Sequence, residues 1–266
     1  MALMHVDFFS DVLGMCMNMD VILPQQTHGQ IGMEGTDAGG QYKTVYLLHG
    51  MSDDHTIWQR RTSIERYAST LGIAVVMPTT HLGFYTDTVY GMRYWTFISE
   101  ELPAVCREFF PRMSAKREDT LAAGLSMGGY GAWKLALRAG GTFGAAASLS
   151  GALDIVGDYR RNSEAGLRQR FASIFGSEED LKGSDNEIMA LADKLAAGGG
   201  NLPRLYAWCG TEDFLYGGNL LVWEHMKKLG YDLTCEQSEG DHQWKYWDRK
   251  VKDVLRWWLG TDADLE

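Results

Sequence analysis

The chain is short of cysteine, short of positive charge and free of long apolar runs, and each shortage removes a class of protein. Four cysteines, Cys16, Cys106, Cys209 and Cys235, occur in 266 residues, with no C-x-x-C pair and no metal-ligand spacing. The pattern argues against a zinc site and leads us to expect buried free thiols, as in a reducing compartment. Lys and Arg number 25 against 35 Asp and Glu, for a net charge of −10. That balance argues against nucleic acid or an anionic membrane as a partner. No apolar run reaches the length of a membrane span. The start, Met1 to Phe9, lacks a basic n-region, and Asp7 and Asp11 interrupt its apolar character, so it does not read as a signal peptide. A cytoplasmic protein is the resulting expectation. Internal repeats and low-complexity segments are also lacking.

What is present is ordinary for a globular chain: 45% apolar and 23% charged residues, enough to bury one large core. His5–Phe9 and Met15–Leu23 alternate about Gly14 and read as an antiparallel hairpin at a sheet edge. Residues 27–41 read as a polar, Gly-rich surface loop. Continuous apolar runs at 42–48, 73–77, 120–123, 143–149 and 204–209 read as buried strands, with a last strand at 232–237. Helical patterns fall between them at 56–70, 94–110 (with Pro103 as a kink), 132–138 and 220–229, and at 243–259 after the last strand. This alternation predicts an α/β fold with a mostly parallel sheet covered on both faces, in a single domain spanning 1–266. Residues 151–201 break the rhythm and are expected to form an inserted lid of short helices.

One stretch carries chemistry. Thr120–Ala123 is a short apolar strand, Gly124-Leu125-Ser126-Met127-Gly128 matches G-x-S-x-G, and Ala132–Arg138 continues as a helix. Strand, tight turn and helix in that order form a nucleophile elbow, which holds a Ser hydroxyl exposed above the sheet. With 31 Gly in the chain, the five-residue pattern alone would arise by chance roughly one time in five, so the flanking strand and helix are what give it weight.

A serine hydroxyl needs a base, and the base needs an orienting acid; in this arrangement they follow in the order Ser, acid, His. His242 is the only histidine after the last strand; His5, His28, His55 and His81 precede the elbow, and His225 falls within a helix. For the acid, Thr211-Glu212-Asp213 follows a strand directly; Asp213 is preferred and Glu212 is the rival. The backbone N–H of Met127, after the nucleophile, and of Met51, in the His49-Gly50-Met51 loop after an earlier strand, are placed to form an oxyanion hole. His49 reads as a prop for that loop. Among the aromatics of residues 84–97, Tyr85 and Trp95 are candidate substrate-binding residues, with core packing the equal alternative.

These residues carry a family resemblance. Tyr46-Leu-Leu-His-Gly-Met-Ser52, Val76-Met-Pro78, Tyr85-Thr-Asp87, Glu100-Glu-Leu-Pro103, Ala123–Gly131, Ser150-Gly-Ala152 and Trp208-Cys-Gly210 together resemble the esterase D-like branch of the α/β-hydrolases. The small bacterial tributyrin-type esterases look nearest, with S-formylglutathione hydrolases, carbohydrate esterase family 1 feruloyl and acetylxylan esterases, and mycolyltransferases further away. The resemblance implies an α/β-hydrolase fold and a triad of Ser126, Asp213 and His242, with Met51 and Met127 as oxyanion donors. It favours Asp213 over Glu212, because Phe214-Leu215-Tyr216 follows it as in the family. It does not extend to residues 157–200.

The expected function is a serine carboxylesterase that needs no cofactor and no metal, acting on a small-molecule ester with a short acyl group. Acetyl or feruloyl esters of plant carbohydrates are candidate substrates. An S-formylglutathione-type thioesterase or an acyltransferase would use the same triad, and a binding protein with a vestigial triad is the rival from another class. The Trp-rich last helix suits a homo-oligomer interface and core packing equally.

Overall fold

A computed structural model describes residues 1–32, 35–37 and 39–265. The chain opens with β1 (Ala2–Ser10) and β2 (Met15–Leu23), an antiparallel hairpin turned at Gly14. Of the polar loop expected at 27–41, residues 33, 34 and 38 lie outside the described residues, and the rest forms neither helix nor strand. There follow β3 (Thr44–Leu48), α1 (Ile57–Arg61), α2 (Ile64–Leu71), β4 (Ala74–Pro78), α3 (Tyr94–Thr96) and α4 (Leu102–Phe109). The elbow strand is β5 (Thr120–Leu125) and its helix α5 (Met127–Arg138), leading to β6 (Ala145–Leu149). Four helices then intervene before the next strand: α6 (Ile155–Glu164), α7 (Arg168–Phe175), α8 (Glu178–Leu181) and α9 (Ile188–Ala197). The chain closes with β7 (Arg204–Gly210), α10 (Tyr216–Lys228), β8 (Leu233–Ser238) and α11 (Trp244–Leu259).

The eight strands form one sheet in the order β1-β2-β4-β3-β5-β6-β7-β8, with β2 antiparallel to both of its neighbours, β1 and β4, and every other pair parallel. This is the α/β-hydrolase fold. Strands β3 to β6 are buried along their whole length because helices cover both faces. Alternation sorts their side chains into two cores. Tyr46, Leu48, Val76 and Ala122 pack with α4, α5, the inserted helices and α10; Val45, Leu47, Val75 and Leu121 pack with α1, α2 and α11. The α11 tryptophans serve this second core: Trp247 and Trp258 are buried, and Trp244 and Trp257 pack against it. Among the described residues no helix is long and apolar enough to cross a membrane.

Three expectations need correction. The helix read over 56–70 is two helices, because Thr62 is extended and its Oγ1 donates to the Trp58 carbonyl and accepts the Ile64 N–H. Such local side-chain bonds compete with the helical ladder. The helix over 94–110 is interrupted by a π turn at Phe97–Glu101, just before Pro103, whose missing N–H cannot serve the preceding turn. The four thiols are free, but only Cys106 and Cys209 are buried; Cys16 is exposed on the edge hairpin and Cys235 is half-buried on the opposite edge strand.

Candidate active site

The site forms where the parallel strands end, and the chain order decides what meets there. Ser126 sits between β5 and α5 with φ 54° and ψ −120°, a conformation that costs an L-residue about 1–3 kcal/mol unless neighbours hold it. They do. Ser126 N–H donates to the Leu149 carbonyl, and its own carbonyl accepts from the N–H groups of Ala152 and Tyr130. Helix and strand cross so closely that a Cβ at Gly128 would lie 2.4 Å from the Leu48 carbonyl oxygen. A Gly128→Ala variant is therefore expected to lose at least about 2–3 kcal/mol of stability by overpacking, read as a lower urea midpoint in equilibrium unfolding.

The loop after β3 passes directly over the elbow. A Cβ on Gly50 would fall 2.6 Å from Leu125 Cδ1, 3.2 Å from Asp53 Oδ2 and 3.7 Å from Ser126 Cβ, so the loop lies tight against the elbow and a larger residue at 50 would have to push the Leu125 side chain aside. His49 anchors the loop from below. It donates from Nδ1 to the Gly50 carbonyl at 2.7 Å and accepts the Thr80 N–H on Nε2 at 3.0 Å. Burial pushes its pKa down to about 4, so the ring is neutral and can play both parts at once. Tyr85 Oη donates to the His49 carbonyl at 2.9 Å. Met127 is the first residue of α5, so its N–H belongs to the set that has no partner within the helix.

From the far side of the sheet, the loop after β7 and the loop after β8 bring an acid and a histidine together. Asp213 Oδ2 accepts from His242 Nδ1 at 2.8 Å, and its Oδ1 accepts the Leu215 N–H at 2.9 Å. The carboxylate is fully buried, while about a fifth of the imidazole is exposed. The ring is held between Phe214, 4.7 Å away, and Trp247, 4.8 Å away and nearly perpendicular to it. Trp247 is itself tethered by its Nε1–H to Ser150 Oγ. Glu212 does not reach the imidazole. Its Oε2 accepts the Gly240 N–H at 2.6 Å, tying the β7 loop to the β8 loop that carries His242.

A cavity of about 80 Å³ adjoins Ser126. Met51, Phe84, Ala152, Phe214 and Leu215 line it from the hydrolase core, and Asp158, Asn162 and Phe171 from α6 and α7. Behind it Phe84 meets Phe171, Phe175 and Tyr130 at ring distances of 5.3, 5.6 and 6.1 Å. Among the described residues, no group of three or more His, Cys, Asp or Glu is placed to hold a metal ion.

The two aromatic candidates lie elsewhere. Trp95 packs under the Arg138 guanidinium at 4.6 Å and near Lys134 at 5.0 Å. Arg138 ends α5, roughly 18 Å along the helix from Ser126 at 1.5 Å per residue, so Trp95 is not brought to the site. Tyr85 is wholly buried and its ring covers Gly131; it supports the Met51 loop and does not line the cavity. Local aromatic density marks both residues in the sequence, and it cannot separate a wall from a floor. The α6 and α7 residues were missed because the insertion matches no family motif, although Asp154, Asp158 and Asn162 share one helix face by i, i+4 spacing. Lys134 was also missed: fully buried, it donates to the Tyr85 carbonyl, Thr86 Oγ1 and Asn186 Oδ1, binding the aromatic loop and the insertion to α5. Its mark in the sequence is a lone cation inside the apolar run of α5.

The chain is similar in sequence and fold to known proteins. Residues 10–258 match the Esterase family. An acetyl esterase of Caldicellulosiruptor saccharolyticus is 33% identical over 97% of this chain and 98% of its own. The substrate-bound structure of fluorophosphonate-binding serine hydrolase F from Staphylococcus aureus is also 33% identical, with a TM-score of 0.84 over 97% of this chain and 98% of that one. An S-formylglutathione hydrolase apoenzyme from the same organism gives 33% identity and a TM-score of 0.82 over the same shares. With the family match, the shared fold and an elbow serine in place, the chain belongs to the esterase family, in the esterase D-like branch of the α/β-hydrolases, and is a carboxylic ester hydrolase.

Proposed function

We propose that the chain is a serine carboxylesterase of short acyl esters, with Ser126 as nucleophile, His242 as base and Asp213 as its orienting acid. The observation that carries the reading is the 2.8 Å bond from His242 Nδ1 to a buried Asp213 carboxylate. It fixes the tautomer that leaves Nε2 as the free, basic nitrogen. Ser126 Oγ attacks the ester carbonyl while His242 Nε2 takes its proton. The N–H groups of Met51 and Met127 receive the developing oxyanion, and losing one such donor typically costs roughly a hundredfold to a thousandfold in turnover. Collapse of the tetrahedral intermediate passes the proton to the leaving alcohol and leaves an acyl-Ser126. Water, activated by His242, then releases the acid and restores the serine.

The small cavity beside Ser126 supports short acyl groups. Each methylene that finds apolar cover contributes about 0.8 kcal/mol, roughly a factor of four in binding; one that finds no room contributes nothing. On p-nitrophenyl esters, kcat/KM is therefore expected to peak at acetate to butyrate and to fall at least about tenfold by octanoate. A rate that holds or climbs to octanoate would contradict the short-acyl reading. The likeness to an S-formylglutathione hydrolase favours one second reading, a thioesterase with the same triad. It requires kcat/KM on S-formylglutathione to exceed that on the best oxygen ester.

A further inference from the structure

Asp158 is a carboxyl group with no task in the chemistry above, yet it lies in the wall of the substrate cavity. The residue is 4% exposed, in the first turn of α6, and lines the cavity beside Ser126, Phe84, Phe171 and Phe214. Its Oδ1 accepts from Arg161 Nη2. Its Oδ2 is buried and, among the described residues, has no hydrogen-bond partner. A buried acceptor left unmatched beside aromatic walls is costly, and a ligand that supplies the missing donor removes that cost.

We propose that Asp158 is a specificity-determining residue whose Oδ2 accepts a hydrogen bond from a hydroxyl on the part of the ester seated in this cavity. The enzyme then selects hydroxylated esters, such as partly acylated polyols or hydroxyacyl esters, over their plain alkyl counterparts. The inference rests on the Ser126 reading above, since the cavity is a substrate pocket only if Ser126 is the nucleophile.

The surroundings agree. Arg161 and Asp154 face Asp158 from α6, and Asp213, bonded to His242, faces it from the β7–α10 loop; Arg170 of α7 reaches the cavity rim at Met51. Burial, opposed by Arg161 and aided by the charges of Asp154 and Asp213, pushes the Asp158 carboxyl up to about 6. A raised carboxyl favours the fold most below the unfolded value near 3.8, and that contribution is lost as pH rises through about 6. The free enzyme therefore holds this charge at neutral pH at the expense of stability, as expected of a group kept for its ligand.

Two matched pairs test it: 2-hydroxyethyl acetate against propyl acetate, and p-nitrophenyl 3-hydroxybutyrate against p-nitrophenyl butyrate. The wild type is expected to prefer the hydroxylated member of one pair by about tenfold or more in kcat/KM, the worth of a hydrogen bond to a charged acceptor. Asp158→Leu should bring that preference below about twofold, chiefly by losing rate on the hydroxylated ester. Asp158→Asn, close to isosteric and neutral, should lower it several-fold and raise Tm more at pH 7.5 than at pH 4.5. No preference in either pair overturns the proposal. So does an unchanged preference in both variants, or in Asn alone if Leu does not fold, and so does a Tm gain in Asn that is no larger at pH 7.5. Fluorophosphonate labelling of Ser126, run alongside, separates this from failure of the nucleophile assignment: an unlabelled Ser126 sinks the mechanism, whereas labelling with no hydroxyl preference sinks only the role of Asp158.

Discussion

Ser126→Ala is expected to lower kcat/KM on p-nitrophenyl butyrate by about 10⁴-fold or more, because removing the nucleophile of a triad leaves only binding and oxyanion stabilisation. The fold should be untouched. Alanine keeps the Cβ, and the elbow is held by backbone bonds from Ser126 to Leu149, Ala152 and Tyr130, none of which involves the hydroxyl. Tm should therefore stay within about 2 °C of wild type, as for a substitution outside any packing or capping role. Turnover above background in a pure, folded Ser126→Ala protein would remove the serine mechanism.

The second large effect separates two neighbouring carboxylates. Asp213→Asn should cost about 10⁴-fold in kcat, since an amide can present its N–H to the imidazole and hold the wrong tautomer while the geometry persists. Glu212→Gln should leave hydrolysis within about threefold, as for a surface change, because Glu212 bonds Gly240 and not His242. Steady-state kinetics of the two variants on one substrate decides the matter. Equal losses would mean that the tie between the β7 and β8 loops matters as much as the orientation of the base.

The difference in how the two carboxylates act was only half legible in the sequence. Position after a strand admitted both Glu212 and Asp213, and the family pattern at Phe214-Leu215-Tyr216 favoured the second. The bond itself depends on two loops 29 positions apart in the chain. The positions of the strands and the elbow were legible because parallel strands buried on both faces write continuous apolar runs, and a close strand-helix crossing demands glycine. Helix interruptions at Thr62 and before Pro103 were less so. They depend on side-chain bonds and on a missing donor whose effect falls a turn earlier than the proline itself. Trp95 illustrates the remaining gap: local aromatic density is visible, but which face of α5 it meets is set by the packing of distant segments. The inserted helices were hardest, because Asp158, Asn162 and Phe171 acquire meaning only once α6 and α7 are folded over Ser126.

In the proposed mechanism one serine, at one strained turn, carries the acyl group. Its most direct test is mass spectrometry of the enzyme after brief exposure to a fluorophosphonate, with peptide mapping of the adduct. A single adduct is expected on the peptide containing Gly124-Leu125-Ser126-Met127-Gly128, absent from Ser126→Ala and formed far more slowly in His242→Ala. An adduct on another residue, or an unlabelled protein that still hydrolyses esters, would contradict it.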